Sequence, residues 1–196
     1  MIFADDPLPK WAVSSCQIDY DTIALGDKFG SFFVTRLDPE VSKAIEEDKT
    51  GNFGMYDRGR MQGAAHKLSN AASFYLGDMV TSISKTALVP GGRELMVYTT
   101  ISGTIGIMVP FTSKEDVEFF QLLEMALRQE VVLLSGRNHL AYRSAYMPVH
   151  HVIDGDLCEL YNSLPNDKKR MIADGLDRNV SEVSKKLDDF RQRVAF

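Results

Sequence analysis

The chain has 196 residues and a formal net charge of −5, with 44% hydrophobic and 25% charged residues. That balance supplies a sizeable core, argues against wholesale disorder, and gives a surface that repels phosphate, so direct non-specific nucleic-acid binding is disfavoured. Two cysteines, Cys16 and Cys158, neither in a paired spacing, argue against a disulfide scaffold or a cysteine zinc site and fit a reducing compartment.

The start, Met1-Ile2-Phe3-Ala4-Asp5-Asp6, has no basic region followed by an apolar one, and no apolar run approaches a membrane span. A nuclear or cytoplasmic protein is expected. Asp5-Asp6-Pro7-Leu8-Pro9 reads as a turn or a severed connection, and residues 11–18, 22–25 and 29–37 read as three strands of a meander. Residues 38–63 then carry the charged run Glu46-Glu47-Asp48-Lys49 and Gly51, Gly54, Gly59 and Gly63 without sustained periodicity, which predicts a long exposed loop.

Strands resume over 69–76 and 79–89, with turns at Gly77-Asp78 and Pro90-Gly91-Gly92. Leu95 to Phe111 follows as a hairpin folded about Ser102-Gly103, where Gly103 supplies the positive φ of a two-residue turn. Leu95, Val97 and Ile101 lie opposite Met96 and Tyr98, and Ile105, Ile107 and Val109 oppose Met108, so both faces are apolar and expected to be covered. The strands from Ser69 onward make up about four, the content of one propeller blade. Phe29-Gly30-Ser31-Phe32-Phe33-Val34 faintly echoes Ile105-Gly106-Ile107-Met108-Val109.

The period changes at Thr112. Ser113-Lys114-Glu115-Asp116 caps a helix to about Glu130, with Val117, Phe120, Leu123 and Leu127 as its stripe and Phe119, Leu122 and Ala126 beside it. Gly136 is a stop, Tyr142 to Met147 an extended segment ahead of Pro148, and Asp154-Gly155-Asp156 a helix start. Pro165 opens a helix with Met171, Ile172 and Leu176 on one side. Asn179 with Glu182 caps the last one, whose buried stripe is Val183, Leu187, Phe190 and Val194. The fold class is thus mainly β with α: a partial β-propeller of last blades in residues 1–111, with an exposed insertion at 38–66, then a small helical region at 112–196.

No catalytic set emerges. The adjacent His150 and His151 lie near Asp154, Asp156 and Cys158, but neighbouring residues point apart, and His66 and His139 add no i, i+4 pair of the kind a zinc protease uses. Asp154-Gly155-Asp156 lacks the remaining ligands of a calcium-binding hand. Gly103-Thr104-Ile105-Gly106 and Pro90-Gly91-Gly92 are turns rather than phosphate loops, and Ser14-Ser15-Cys16, Ser135 and Ser144 sit in no nucleophile motif. Lys168-Lys169-Arg170 and Lys185-Lys186 read as solvated helix faces, and Asn179-Val180-Ser181 as a helix cap rather than a glycosylation site. No cofactor or metal is expected.

The run Val152-Ile153-Asp154-Gly155-Asp156-Leu157-Cys158-Glu159, preceded by Tyr142-Arg143-Ser144-Ala145-Tyr146-Met147-Pro148-Val149, resembles the C-terminal region of the large triple-propeller scaffold family. That family serves splicing factor 3b, the cleavage and polyadenylation factor, and cullin ligases through a damaged-DNA-binding adaptor. Three stretches resemble its splicing branch: Asp48-Lys49-Thr50-Gly51-Asn52; Tyr98 to Gly103 with Gly106 and Val109 to Ser113; and the ending from Glu182 to Phe196. His150-His151 and Val131-Val132-Leu133-Leu134 depart from that branch.

The resemblance implies a non-enzymatic nuclear scaffold of the U2 small nuclear ribonucleoprotein. It would clasp a helical-repeat partner and small subunits, and touch pre-mRNA indirectly while these hold its branch-site region. Tyr142, Arg143, Pro148, Asp154, Gly155, Asp156 and Leu157 are the signature residues, structural or in partner contact. Family members are several times longer, so the chain is expected to be the last blades and terminal helices of a longer protein. The alternatives are a sister scaffold in 3′-end processing or ubiquitin-ligase recruitment, and a small enzyme or metal-binding protein using His150, His151 and Cys158.

Overall fold

A computed structural model describes residues 4–47, 64, 66–131 and 136–195. The chain divides into two compact units, one comprising Met1–Lys85, Val97–Gly106 and Tyr146–His151, the other Thr86–Met96, Ile107–Ala145 and Val152–Phe196.

The first unit is built on a four-stranded antiparallel sheet of β2 (Ala12–Gln17), β3 (Thr22–Asp27), β4 (Ser31–Arg36) and β6 (Ser69–Tyr75), in the order β2-β3-β4-β6. Asp27 sets the β3–β4 turn, because its carboxylate accepts the backbone N–H of Phe29 (2.9 Å) and Ser31 (2.7 Å). Gly30 completes that turn at φ +90°, its Cα against the backbone of Asp78. Phe32 and Phe33, one on each face of β4, are both only 1% exposed. The strand covered on both faces is therefore β4, which has a hydrogen-bonded neighbour at each edge.

Blade content differs from the expectation. The strand at Ser69 does not open a second set of four. It pairs with β4 in register Ser31↔Tyr75 to Arg36↔Ser69 and completes the first sheet. On the outer edge of β6, Ser73 and His150 exchange backbone hydrogen bonds of 3.0 Å each way. Tyr146 packs there against Phe29 and Tyr75, with ring centroids 5.5 and 5.6 Å apart.

Two shorter elements also depart from the reading. Asp5 belongs to β1 (Ala4–Asp5), which pairs in parallel with β5 (His66–Lys67) and is fixed by Asp5 carboxylate bonds to Ala64 N–H and Lys67. The expected loop after Asp38 begins as helix α1 (Pro39–Glu47): Asp38 accepts Glu40 N–H at 2.9 Å, and Pro39 suits a first helical position. The rest of that loop at 48–63 and the Asp48-Lys49-Thr50-Gly51-Asn52 stretch lie outside the described residues.

β7 (Val80–Ala87), β8 (Glu94–Thr100) and β9 (Ile105–Met108) make a three-stranded sheet in sequence order. Between β8 and β9 the loop closed by Thr100 and Thr104 is three residues, Ile101 to Gly103, instead of two: Gly103 N–H donates to Thr100 O, Thr100 N–H to Thr104 O, and Gly103 lies at φ +86°. The hairpin is not covered on both faces. Leu95 is buried, but Ile105 is 75% exposed and Ile101 and Ile107 are exposed as well, because β9 has only β8 as a strand neighbour among the described residues. The echo between Gly30 and Gly106 is also not one of role, since Gly106 lies flat within β9 under the Tyr98 ring.

In the second unit α2 (Lys114–Glu130), α4 (Gly155–Glu159), α5 (Asn166–Gly175) and α6 (Val180–Ala195) surround one core of Phe119, Phe120, Leu123, Leu127, Leu157, Cys158, Tyr161, Ile172, Ala173, Val183 and Leu187. Phe111 and Phe190 stack beside it at 5.3 Å. α2 buries Phe120, Leu123 and Leu127 of its predicted stripe together with the flanking Phe119, while Val117 is half-buried and Leu122 exposed. Ser113 makes no side-chain cap bond. Met171 is outside too, whereas Glu182 does reach back to the Asn179 N–H at 3.0 Å. Residues 139–143 are helical rather than extended, forming α3 (His139–Arg143), because Asn138 caps Leu140 and Ala141. Residues 132–134 and the Val194 side chain lie outside the described set.

The fold class is mainly β with α: blade-like sheets and helices, without a closed barrel among the described residues. No described helix is long and apolar enough to cross a membrane. A side chain at Gly106 would meet the Tyr98 ring at 2.2 Å. Gly106→Val is therefore expected to lose about 1–3 kcal/mol in urea unfolding, as overpacking does; an unchanged midpoint would contradict this packing.

Candidate functional site

The signature residues of the second unit converge on one carboxylate. Asp154 precedes α4 in extended conformation, and its Oδ1 accepts the Leu157 N–H at 3.3 Å, capping that helix. Its Oδ2 receives Arg143 Nε at 2.7 Å and lies 2.7 Å from His139 Nε2. Since a carboxylate only accepts, Nε2 carries the His139 proton, and Nδ1 is left buried with no hydrogen-bond partner among the described residues. The Asp154 backbone N–H donates to Glu124 Oε1 at 3.2 Å, and Glu124 is in turn paired with Arg128 at 2.8 Å.

Asp154, Glu124 and His139 are all buried. Burial alone would raise the Asp154 carboxyl. The Arg143 charge and the hydrogen bonds from His139, Arg143 and Leu157 outweigh it and hold the group below the ordinary carboxylate range. Burial and the nearby Glu124 and Asp154 carboxylates push the Cys158 thiol far up, so it is neither a nucleophile nor a ready ligand. The donors around Asp154 belong to the protein itself, so the arrangement locks α2, α3 and α4 together rather than presenting a reactive group.

Other signature residues have separate surroundings. Leu157 is in the helical core, and Tyr142 is half-buried under the Arg143 guanidinium, 5.4 Å from its ring centre. Pro148 lies in the first unit, where its carbonyl accepts the Ser73 hydroxyl at 2.6 Å. Gly155 and Asp156 are exposed at the start of α4, and Gly155 has open space where a side chain would stand. Both His150 and His151 turn Nδ1 to the Ala71 carbonyl, at 3.3 and 3.1 Å. Among the described residues no group of three or more His, Cys, Asp or Glu is placed to hold a metal ion.

Sequence reasoning missed His139, Glu124 and Arg128 as members of this cluster. One signal was legible: Glu124 sits between Leu123 and Leu127 on the buried side of α2, where a charge requires partners.

The family model described as "CPSF A subunit region" matches residues 1–163. Splicing factor 3B subunit 3 of Danio rerio is 52% identical over 196 residues, covering 100% of this chain and 16% of that protein. The probable splicing factor 3B subunit 3 of Dictyostelium discoideum is 51% identical over 192 residues, 98% of this chain and 15% of that protein. Pre-mRNA-splicing factor RSE1 of Mycosarcoma maydis is 50% identical over 190 residues, 97% and 16% respectively. The chain thus spans about one sixth of the length of these relatives.

Replacing Asp154 removes the buried carboxylate that Arg143 and His139 both address, so Asp154→Asn is expected to cost about 3–5 kcal/mol at neutral pH. A lowered folded-state pKa contributes stability that is fully present above the unfolded value, about 3.9, and lost as pH falls through the folded one. The gap between wild type and variant in urea unfolding should therefore narrow as the pH is lowered from 5 to below 3. A gap that stays constant would show that Asp154 is not the titrating anchor.

Proposed function

The chain belongs to the CPSF A subunit region family, and on that premise we propose that it is the C-terminal region of a splicing factor 3b large propeller subunit. It acts as a non-enzymatic scaffold in the nucleus, in pre-mRNA splicing and branch-site recognition, through protein–protein contacts. Its partners are the other splicing factor 3b subunits, a helical-repeat large subunit and small subunits, with the U2 small nuclear ribonucleoprotein and pre-mRNA reached indirectly. The observation that carries this reading is identity near one half along the whole chain to proteins named for splicing.

In this reading residues 1–111 contribute propeller blades and residues 112–196 the helical region. Physical features support a scaffold role. The Asp154 cluster is spent on internal bonds, the Cys158 thiol is buried with its pKa raised, and a net charge of −5 favours protein surfaces over phosphate. Arg143, Asp154 and Leu157 serve the fold, whereas Pro148, Gly155 and Asp156 are outward signature positions open to a partner.

The test is affinity recovery of the tagged full chain from nuclear extract, with mass spectrometry of proteins and probing for U2 RNA. Enrichment of splicing factor 3b subunits is expected, reduced severalfold by Asp156→Lys if that position meets a partner. Recovery of polyadenylation factors or cullin ligase subunits in their place would transfer the chain to a sister scaffold.

A further inference from the structure

α2 carries more apolar surface than the core uses. Phe119, Phe120, Leu123 and Leu127 fill the core, yet Leu122 and Met125, 53% and 56% exposed, begin a second stripe that continues at Ala126. Residues 122, 125, 126 and 129 stand at i, i+3, i+4 and i+7 and share one face of the helix. α5 adds Met171, 63% exposed, with Ile172 and Leu176 below it, and the two helices enclose a groove of about 190 Å³. From residue 122 to 129 the groove runs roughly 10 Å, two turns of helix. Its open sides are formed by flexible, polarizable methionine and leucine side chains, the composition of surfaces that take up helices.

The charges around the groove define what fits it. Glu115 and Glu118 stand seven and four residues before Leu122 on the same face, exposed and with no ion-pair partner among the described residues, and Asp174 is exposed three residues after Met171. Glu130 lines the far end and is bridged at 3.0 Å by Lys168, while Arg170, exposed on α5, offsets part of the remaining charge. Phosphate is repelled by such a rim. A second copy of the same face would set Glu115 and Glu118 against their own kind.

We propose that the α2–α5 groove is the docking site for a basic amphipathic helix of a protein partner. Aliphatic residues of that helix at i, i+4 and i+7 lie along Leu122, Ala126 and Met171, and its lysines or arginines face Glu115 and Glu118. This rests on the groove alone and holds whether or not the splicing assignment does.

The probe is a synthetic 18-residue helical peptide with leucine on one face and lysine on its flanks, compared with the same peptide carrying glutamate for lysine. The full chain, labelled at its nine methionine methyl groups, reports binding by NMR. The lysine peptide should move the Met125 and Met171 signals saturably, and the glutamate peptide should bind at least tenfold more weakly. Leu122→Asp should weaken binding at least tenfold without changing the unfolding midpoint; because Leu122 is exposed the variant should fold, and Met171→Gln serves as a second variant with a smaller loss. Equal binding of both peptides, no binding of either, shifts confined to other methionines, or an unaffected Leu122→Asp would each overturn the proposal. So would concentration-dependent self-association that moves the same two signals, which would assign the face to a second copy.

Discussion

A buried carboxylate has to be answered, and in this protein the answer organises the helical unit. Asp154 cannot stay ionised away from water unless cations and donors surround it, and it gathers Arg143 and His139 from α3 and the first turn of α4. Its own N–H then satisfies Glu124 on α2, which Arg128 balances. Two acids and two guanidinium groups thus close on one another around a histidine, and three helices are held in one register. Such a network adds less net stability than an equally packed apolar cluster, but it admits one arrangement of its parts. The signature run Ile153-Asp154-Gly155-Asp156-Leu157 reads physically as a cap, a charge anchor and a core residue placed together.

A different constraint governs the sheets. A strand with a neighbour at each edge and a layer on each face is apolar on both sides, and β4 meets this with consecutive phenylalanines. β9 has a similar composition and the opposite fate, since one of its edges lacks a strand partner among the described residues and its isoleucines stay exposed. Composition alone does not distinguish the two. Pairing does.

The buried acids of the second unit are committed to partners within it: Asp116 at the start of α2, for instance, holds Lys186 at 2.5 Å and Arg193 at 3.1 Å. Apolar and acidic surface stays outward on β9, on the second stripe of α2 and at Gly155-Asp156, beside exposed basic residues such as Arg170 and Lys185. Surface of that kind recognises other proteins, through shape and area rather than through a reactive group.

The sequence by itself determined the local elements, because their causes are local. Alternation set the strands, Asn179 with Glu182 set the entry to α6, and the change of period after Thr112 separated strands from helices. The resemblance read from Asp154 to Leu157 also pointed to the family that residues 1–163 match. Short-range readings failed where a few residues outvoted their surroundings, as Asp38-Pro39 did in starting α1 and Asn138 in starting α3. Only the tertiary structure decided which strands share a sheet, that β6 closes on β4, and that α2 turns Phe119 inward and Leu122 outward. It alone brought His139, Arg143 and Glu124 to Asp154, residues 11 to 30 positions away in the chain. Periodicity specifies which side of an element is apolar, but the partner across that side is set by long-range pairing and by the need to neutralise buried charge, and neither leaves a mark on neighbouring residues.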